Sequence, residues 1–295
     1  MLWGTIGLAH SFVDKTGILT ISGLRAALAA CALLAYMAYT RSLSSMKILA
    51  EPKRFVACLA GTLSVTAFQI LLFSAMRAAG VAVATLVAIG SAPVFTGVFD
   101  FLRKQRPGPG WIVCTVLGIA GLTLMSIPSE ASVVTPRGVI YALAAGMSYS
   151  GYAIAAKSLA AAGIQPQTIA TGYFSGAALL LLPAAFIAEG SPRGLPVPSQ
   201  ALAIVWLGIM ATAVAYCLYF RGLSDVTAST AAMLGLAEPL TAAAIGFLLL
   251  EEKATAGAIA GMIFLAAGIV ISILSPAGSS LPPRRQNLPP SGNES

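Results

Sequence analysis

The chain has 295 residues, of which 58% are hydrophobic and only 9% charged. Its mean hydropathy is +0.88. A soluble domain averages about 25% charged residues, so this composition excludes a soluble enzyme or binding module and indicates an integral membrane protein. The apolar runs have the length of a bilayer-crossing helix, about 20 residues, rather than the ten-residue alternation of a barrel strand, which gives an all-α membrane fold. The net charge of +7 would suit nucleic acid, but the basic residues occupy short loops between apolar runs. There they set topology, and no nucleic-acid partner is expected.

Ten apolar segments follow in order, over 1–13, 18–40, 55–76, 81–102, 110–127, 138–160, 168–188, 201–220, 230–250 and 256–274. Nine are long enough to span. The first reaches only about 20 Å before Asp14 and Lys15. It lacks the basic n-region of a cleaved signal peptide, and the natural start is expected upstream of Met1, inside the same helix. His10 has no metal-ligand companions and reads as a satisfied polar residue. In the second segment Arg25 lies early in the helix, where it can snorkel to the outer interface or anchor a substrate carboxylate or a gate.

The third segment places Thr62, Thr66, Gln69 and Phe73 on one helix face. Polar groups on a lipid-embedded helix turn inward, to bridge helices or to meet a polar solute. In the fourth, Pro93 removes a backbone donor and lets the helix bend, and Asp100 has Arg103 and Lys104 nearby as ion-pair partners. Gly118 and Gly121 in the fifth, with Gly257-x-x-x-Gly261 in the tenth, allow close helix approach, within one chain or across a dimer. Tyr149 and Tyr152, like Tyr216 and Tyr219, are three residues apart and share a face. Such aromatics line a pathway, fill a core or mark the interface. Cys31, Cys58, Cys114 and Cys217 all lie in apolar segments without ligand spacing and read as small hydrophobes.

The ninth segment carries the most informative pair, Glu238 followed by Pro239. Glu238 sits about 18 Å along the segment, near the bilayer midplane. A central acidic side chain costs about 2.5 to 3.5 kcal/mol there, so it faces a cavity or a partner rather than lipid. It can serve as a protonatable group, as the partner of a substrate amine, or as a hydrogen-bonded strut between helices.

An inside N-terminus places eleven basic residues in the inner loops and tail: Arg41, Lys47, Lys53, Arg54, Arg103, Lys104, Arg106, Lys157, Arg221, Arg284 and Arg285. The outer loops hold five, namely Lys15, Arg77, Arg137, Arg193 and Lys253. The bias predicts both termini in the cytoplasm, with a disordered tail over 276–295. The halves also repeat. A shift of 147 residues lays Gly61 on Gly208, Phe73 on Phe220, Gly121 on Gly268, Gln69 on Tyr216 and Gln105 on Glu252. A shift of 146 pairs Pro93 with Pro239 and Trp3 with Tyr149. Five helices per half is an odd number, so the expected fold is ten transmembrane helices as two inverted five-helix repeats, with substrate bound between them. The first repeat covers 1–127, a linker 128–137 and the second repeat 138–275.

In these residues the chain resembles the EamA-type transporters of the drug/metabolite transporter superfamily. The resemblance rests on Leu2-Trp3-Gly4-Thr5, Leu24-Arg25, Ala92-Pro93, Glu238-Pro239, the LLLEEK run from Leu248 and the doubled five-helix plan, and it covers Leu2 to about Leu274. It departs in carrying Gln105 and Arg106 where that family commonly has a glutamate after its fourth helix, and in its short first helix. The resemblance implies a plasma-membrane exporter of amino acids or other small metabolites, driven by a proton or solute gradient, with no cofactor or metal. By position and helix face, Glu238, Gln69, Tyr216, Tyr149, Tyr152 and Trp3 are the candidates for substrate binding or coupling, and Pro93 and Pro239 the hinges. Import of a vitamin or nucleoside, and a non-transporting scaffold, are the competing readings. Monomer and homodimer stay open. No phosphate loop, HExxH or GxSxG supports catalysis.

Overall fold

The computed structural model describes residues 2–13, 17–102, 110–125, 135–190, 198–249 and 255–274, and among these every regular element is helical. The chain opens with a 3-10 turn, Leu2–Thr5, and α1 (Ile6–Ser11), followed by α2 (Ile18–Tyr39), α3 (Pro52–Ala79), α4 (Val81–Leu102), α5 (Gly110–Met125), α6 (Pro136–Ala161) and α7 (Pro166–Glu189). The next span is α8 (Pro198–Gly208), a π-helical turn (Ile209–Val214) and α9 (Ala215–Gly222). It is followed by α10 (Ala228–Leu234), α11 (Ala237–Leu249) and α12 (Ala256–Leu274).

Among the described residues, eight stretches of helix are long and apolar enough to cross a membrane. The sequence leads one to expect nine. The difference is α5, whose described part, 16 residues, covers about 24 Å. Residues 1, 14–16, 103–109, 126–134, 191–197, 250–254 and 275–295 lie outside the described part. With them lie the expected glutamate position at Gln105 and Arg106, the Arg103 and Lys104 partners of Asp100, most of the LLLEEK run and the tail. The side chain of His10 is likewise outside the description.

Helix ends follow local chemistry. Pro52, Pro136 and Pro166 each occupy the first helical turn, where a missing N–H leaves no bond unmade. The Thr135 hydroxyl caps α6 by accepting from Gly138 N–H at 3.2 Å. α3 ends at Gly80, whose φ of +82° needs glycine before the immediate start of α4.

Packing brings α3 against α6, α2 against α7, α4 against α6 and α5 against α12. Small residues permit the closest approaches. A Cβ on Gly261 would come within 2.4 Å of the Gly121 carbonyl, and one on Gly121 within 2.7 Å of the Gly261 carbonyl. The glycines of α5 and α12 therefore face each other inside one chain, as the intramolecular option required. The large side chains at the centre, Tyr152, Tyr173, Tyr216, Phe174 and Phe220, are all buried.

Candidate functional site

The site is assembled around two interruptions of helix. In the span over 228–248, the helix stops at Leu234 and restarts at Ala237. The turn between them is tight: Leu236 N–H reaches Met233 O at 3.0 Å, and Glu238 N–H reaches Gly235 O at 2.9 Å. Pro239 falls in the first turn of α11, where a proline is tolerated. Glu238 thus stands at the N-terminus of a half-helix, where the helix dipole favours an anion.

The second interruption is the π-turn Ile209–Val214. In an α-helix the Ala215 N–H would bond the Ala211 carbonyl. Here it divides between the carbonyls of Met210 and Thr212. The Ala211 oxygen instead accepts from Trp3 Nε1 at 3.1 Å and from an Arg25 guanidinium nitrogen at 3.5 Å. Arg25 Nε also donates to the Thr212 hydroxyl, which in turn donates to Leu207 O at 2.7 Å. A π-turn of this kind is a common mark of a functional site, because it presents backbone oxygens sideways.

Aromatic rings close the space between the interruptions. Trp3 lies 5.1 Å from Tyr216 and 5.2 Å from Tyr219, ring centre to ring centre. Tyr149 lies 4.9 Å from Tyr152, Tyr152 lies 5.6 Å from Tyr216, and Phe68 is 5.8 Å from both Tyr149 and Tyr152. These tilted and edge-to-face pairs are the arrangement that ring quadrupoles favour. The hydroxyls of Tyr149, Tyr152 and Tyr219 are buried inside this cluster. Beside this cluster opens a cavity of about 280 Å³, lined by Trp3, Tyr219, Leu218, Leu234, Gly235 and Glu238 among others. Gly4 sets its wall: a Cβ there would press within 2.9 Å of Thr241 Cβ and 3.1 Å of Glu238 O, so only glycine lets the 3-10 turn lie on α11.

The predicted site residues divide into those that meet and those that do not. Glu238, Trp3, Tyr149, Tyr152 and Tyr216 come together. Arg25 is buried at 4% exposure and bonded inward, so it neither snorkels to the interface nor opens onto the Glu238 cavity. Gln69 is buried on α3, where its amide nitrogen meets Val65 O at 3.4 Å and its Oε1 has no partner. No ring or hydrogen bond ties it to the cluster; its neighbour Phe68 makes that contact. Pro93 stays inside an unbroken helix, beside Ala92, whose carbonyl accepts from the Thr96 and Ser150 hydroxyls at 2.7 and 3.0 Å. Sequence reasoning missed Phe68, Thr212 and the Ala211 carbonyl. No local signal marks the last two, since IMATAV contains neither glycine nor proline.

A model of the EamA-like transporter family matches residues 1–127 and 136–274. An uncharacterized transporter of Bacillus subtilis, YwfM, is 31% identical over 280 residues, covering 93% of this chain and 90% of the relative. Protein PecM of Dickeya dadantii is 26% identical over 215 residues, 72% of this chain and 71% of that protein. Among solved structures, one crystal structure superposes with a TM-score of 0.79 at 21% identity, over 92% of this chain and 93% of the other, which shows a shared fold.

Proposed function

Because the chain belongs to the EamA-like transporter family, we propose that it is a secondary active transporter exporting small metabolites, amino acids and related amine-bearing compounds foremost. One observation carries the reading. Glu238, the acid at the head of a half-helix, lines a cavity whose other walls include the rings of Trp3 and Tyr219. A carboxylate with aromatic faces beside it is the chemistry that receives an ammonium group. The same carboxylate can hold a proton when the cargo has left, which would couple export to a proton or solute gradient.

The bundle works as two inverted five-helix repeats in the plasma membrane, ten helices with both termini cytoplasmic. The two stretches of family match support the duplication, and the excess of basic residues in alternate loops supports the orientation. Cargo is released by alternating access as the repeats rock about the cavity, with the break before Pro239 as one hinge and Pro93 as the other.

The test is growth of cells overexpressing the protein across a panel of toxic amino acids and amine analogues. Wild type and Glu238→Gln are compared at matched membrane levels. Resistance to one class of compound is expected in the wild type and is expected to vanish in Glu238→Gln. Equal resistance of both variants, or of neither against empty cells, would overturn the reading.

A further inference from the structure

A second cavity, about 570 Å³, lies on the other side of α9 from Glu238. Leu218 borders both cavities, so one helical wall separates them. The floor of the second is buried and apolar: Leu33, Ile164, Ala213 and Phe220 are all less than 9% exposed. Its rim is open. Tyr36, Val214 and Leu218 are 54%, 38% and 61% exposed, and all three stand on spans that cross the membrane, so the groove opens sideways to lipid rather than to water. Its polar groups gather at one end: Gln167 at the start of α7, and Arg221 and Ser224 at the close of α9. From Arg221 back to Ile209 is twelve residues, about 18 Å of helix. That is the depth from the headgroup level to the middle of a hydrocarbon core about 30 Å thick.

Two of the three polar side chains have partners nearby. Gln167 donates to Gln165 Oε1 at 2.7 Å, and Ser224 Oγ to the Arg221 carbonyl at 2.6 Å. No hydrogen bond or ion pair to a described residue engages the Arg221 guanidinium, which is exposed. The groove therefore combines an apolar slot of half-bilayer depth with one uncommitted, bidentate cation at headgroup level.

We infer that this groove binds one acyl chain of an anionic phospholipid, with Arg221 on its phosphate. The lipid belongs to the leaflet facing the loops after α2 and α6, where Lys47, Lys53 and Arg54 also lie. Ile209, Ala213 and Val214 line the groove and form the π-turn that holds Arg25 and Trp3. The bound chain thus braces the wall of the first cavity, whichever cargo that cavity takes.

The test uses the full chain in nanodiscs of phosphatidylcholine alone or with phosphatidylglycerol, and reads lipid retention by native mass spectrometry together with the unfolding midpoint. Phosphatidylglycerol is expected to be retained preferentially and to raise the midpoint. An arginine at the membrane surface contributes about 1 kcal/mol toward an anionic lipid, so Arg221→Gln should weaken that preference about fivefold and lower the midpoint more in phosphatidylglycerol than in phosphatidylcholine. Ala160→Phe, which fills the slot from α6, should lower retention of both lipids. An undiminished phosphatidylglycerol preference in Arg221→Gln would overturn the inference, as would equal protection by glycerol phosphate, a headgroup without a chain. Each readout is independent of transport, so loss of the export reading would leave it standing.

Discussion

Arg25 and Glu238 show how differently two charges can be held in one membrane interior. Arg25 spends its donors on protein oxygens, the Thr212 hydroxyl and the Ala211 carbonyl, whereas Glu238 borders open space. That division predicts opposite phenotypes. Arg25→Lys keeps the charge but loses the planar fork that reaches two acceptors at once. Hydrogen bonds across membrane helices are worth about 0.6 to 1.7 kcal/mol, so the unfolding midpoint of Arg25→Lys in detergent should fall by several degrees. Glu238→Gln should keep the wild-type midpoint and lose flux. A stable Arg25→Lys protein would show that the π-turn stands without this strut. Glu238 was legible in the sequence, because an acid next to proline in an apolar span has few bland explanations. The role of Arg25 was not, since its partner Thr212 lies 187 positions away and looks like any threonine in an apolar run.

At the scale of elements, each interruption is paired with a continuous neighbour that supports it. The break at Gly235 packs beneath Tyr149, whose hydroxyl would stand 2.9 Å from a Cβ placed there. α5 supports the same break through Gly118, where a Cβ would meet Leu236 at 2.6 Å. α5 is in turn fixed by α12 through Gly121 and Gly261. A Cβ at Gly261 meets backbone oxygen rather than a flexible side chain, so the two helices must separate to accept one. Gly261→Val should therefore destabilise the protein by about 1 to 3 kcal/mol, while Gly222→Ala, with nothing within 4 Å of the added carbon, should be near neutral. Comparing their thermal midpoints at equal expression checks the difference; an equal loss in Gly222→Ala would show that the contact with Gly121 does not carry the cost, since helix propensity alone favours both replacements. The glycine spacing and Pro239 announced these elements. The π-turn was silent, because the donors that meet its Ala211 carbonyl, Arg25 and Trp3, come from distant positions and no residue of IMATAV marks it.

At the scale of the whole molecule, two polar clasps tie opposite ends of the bundle. α2 is preceded by Gly17, which has no side chain to cap the first N–H groups. Glu189, at the end of α7, supplies the cap from 170 positions away, accepting from Leu19 N–H at 2.9 Å and from Thr20 N–H and hydroxyl at 3.0 and 2.7 Å. A Cβ at position 17 would fall 1.8 Å from the carboxylate, so glycine makes room for the distant cap. At the other end Lys157, near the close of α6, donates to the carbonyls of Leu223 at 2.7 Å and Ser224 at 3.2 Å, where a cation suits a helix C-terminus. Under the proposed alternating access, opening at the α2–α7 end breaks the Glu189 clasp, which joins the two repeats, and leaves the Lys157 clasp intact, because Lys157 and its acceptors share the second repeat. Glu189→Ala removes a cap worth about 1 kcal/mol, enough to shift a two-state equilibrium about fivefold toward opening at the α2–α7 end. Lys157→Met breaks a contact inside the second repeat and should leave that equilibrium in place. Hydrogen exchange separates the outcomes: Glu189→Ala should raise exchange at the α2–α7 end and lower it at the far one, whereas Lys157→Met should raise it only around Leu223 and Ser224. Faster exchange confined to the α2–α7 end in Glu189→Ala would mean that this clasp is a local cap and that the bundle does not rock as a unit.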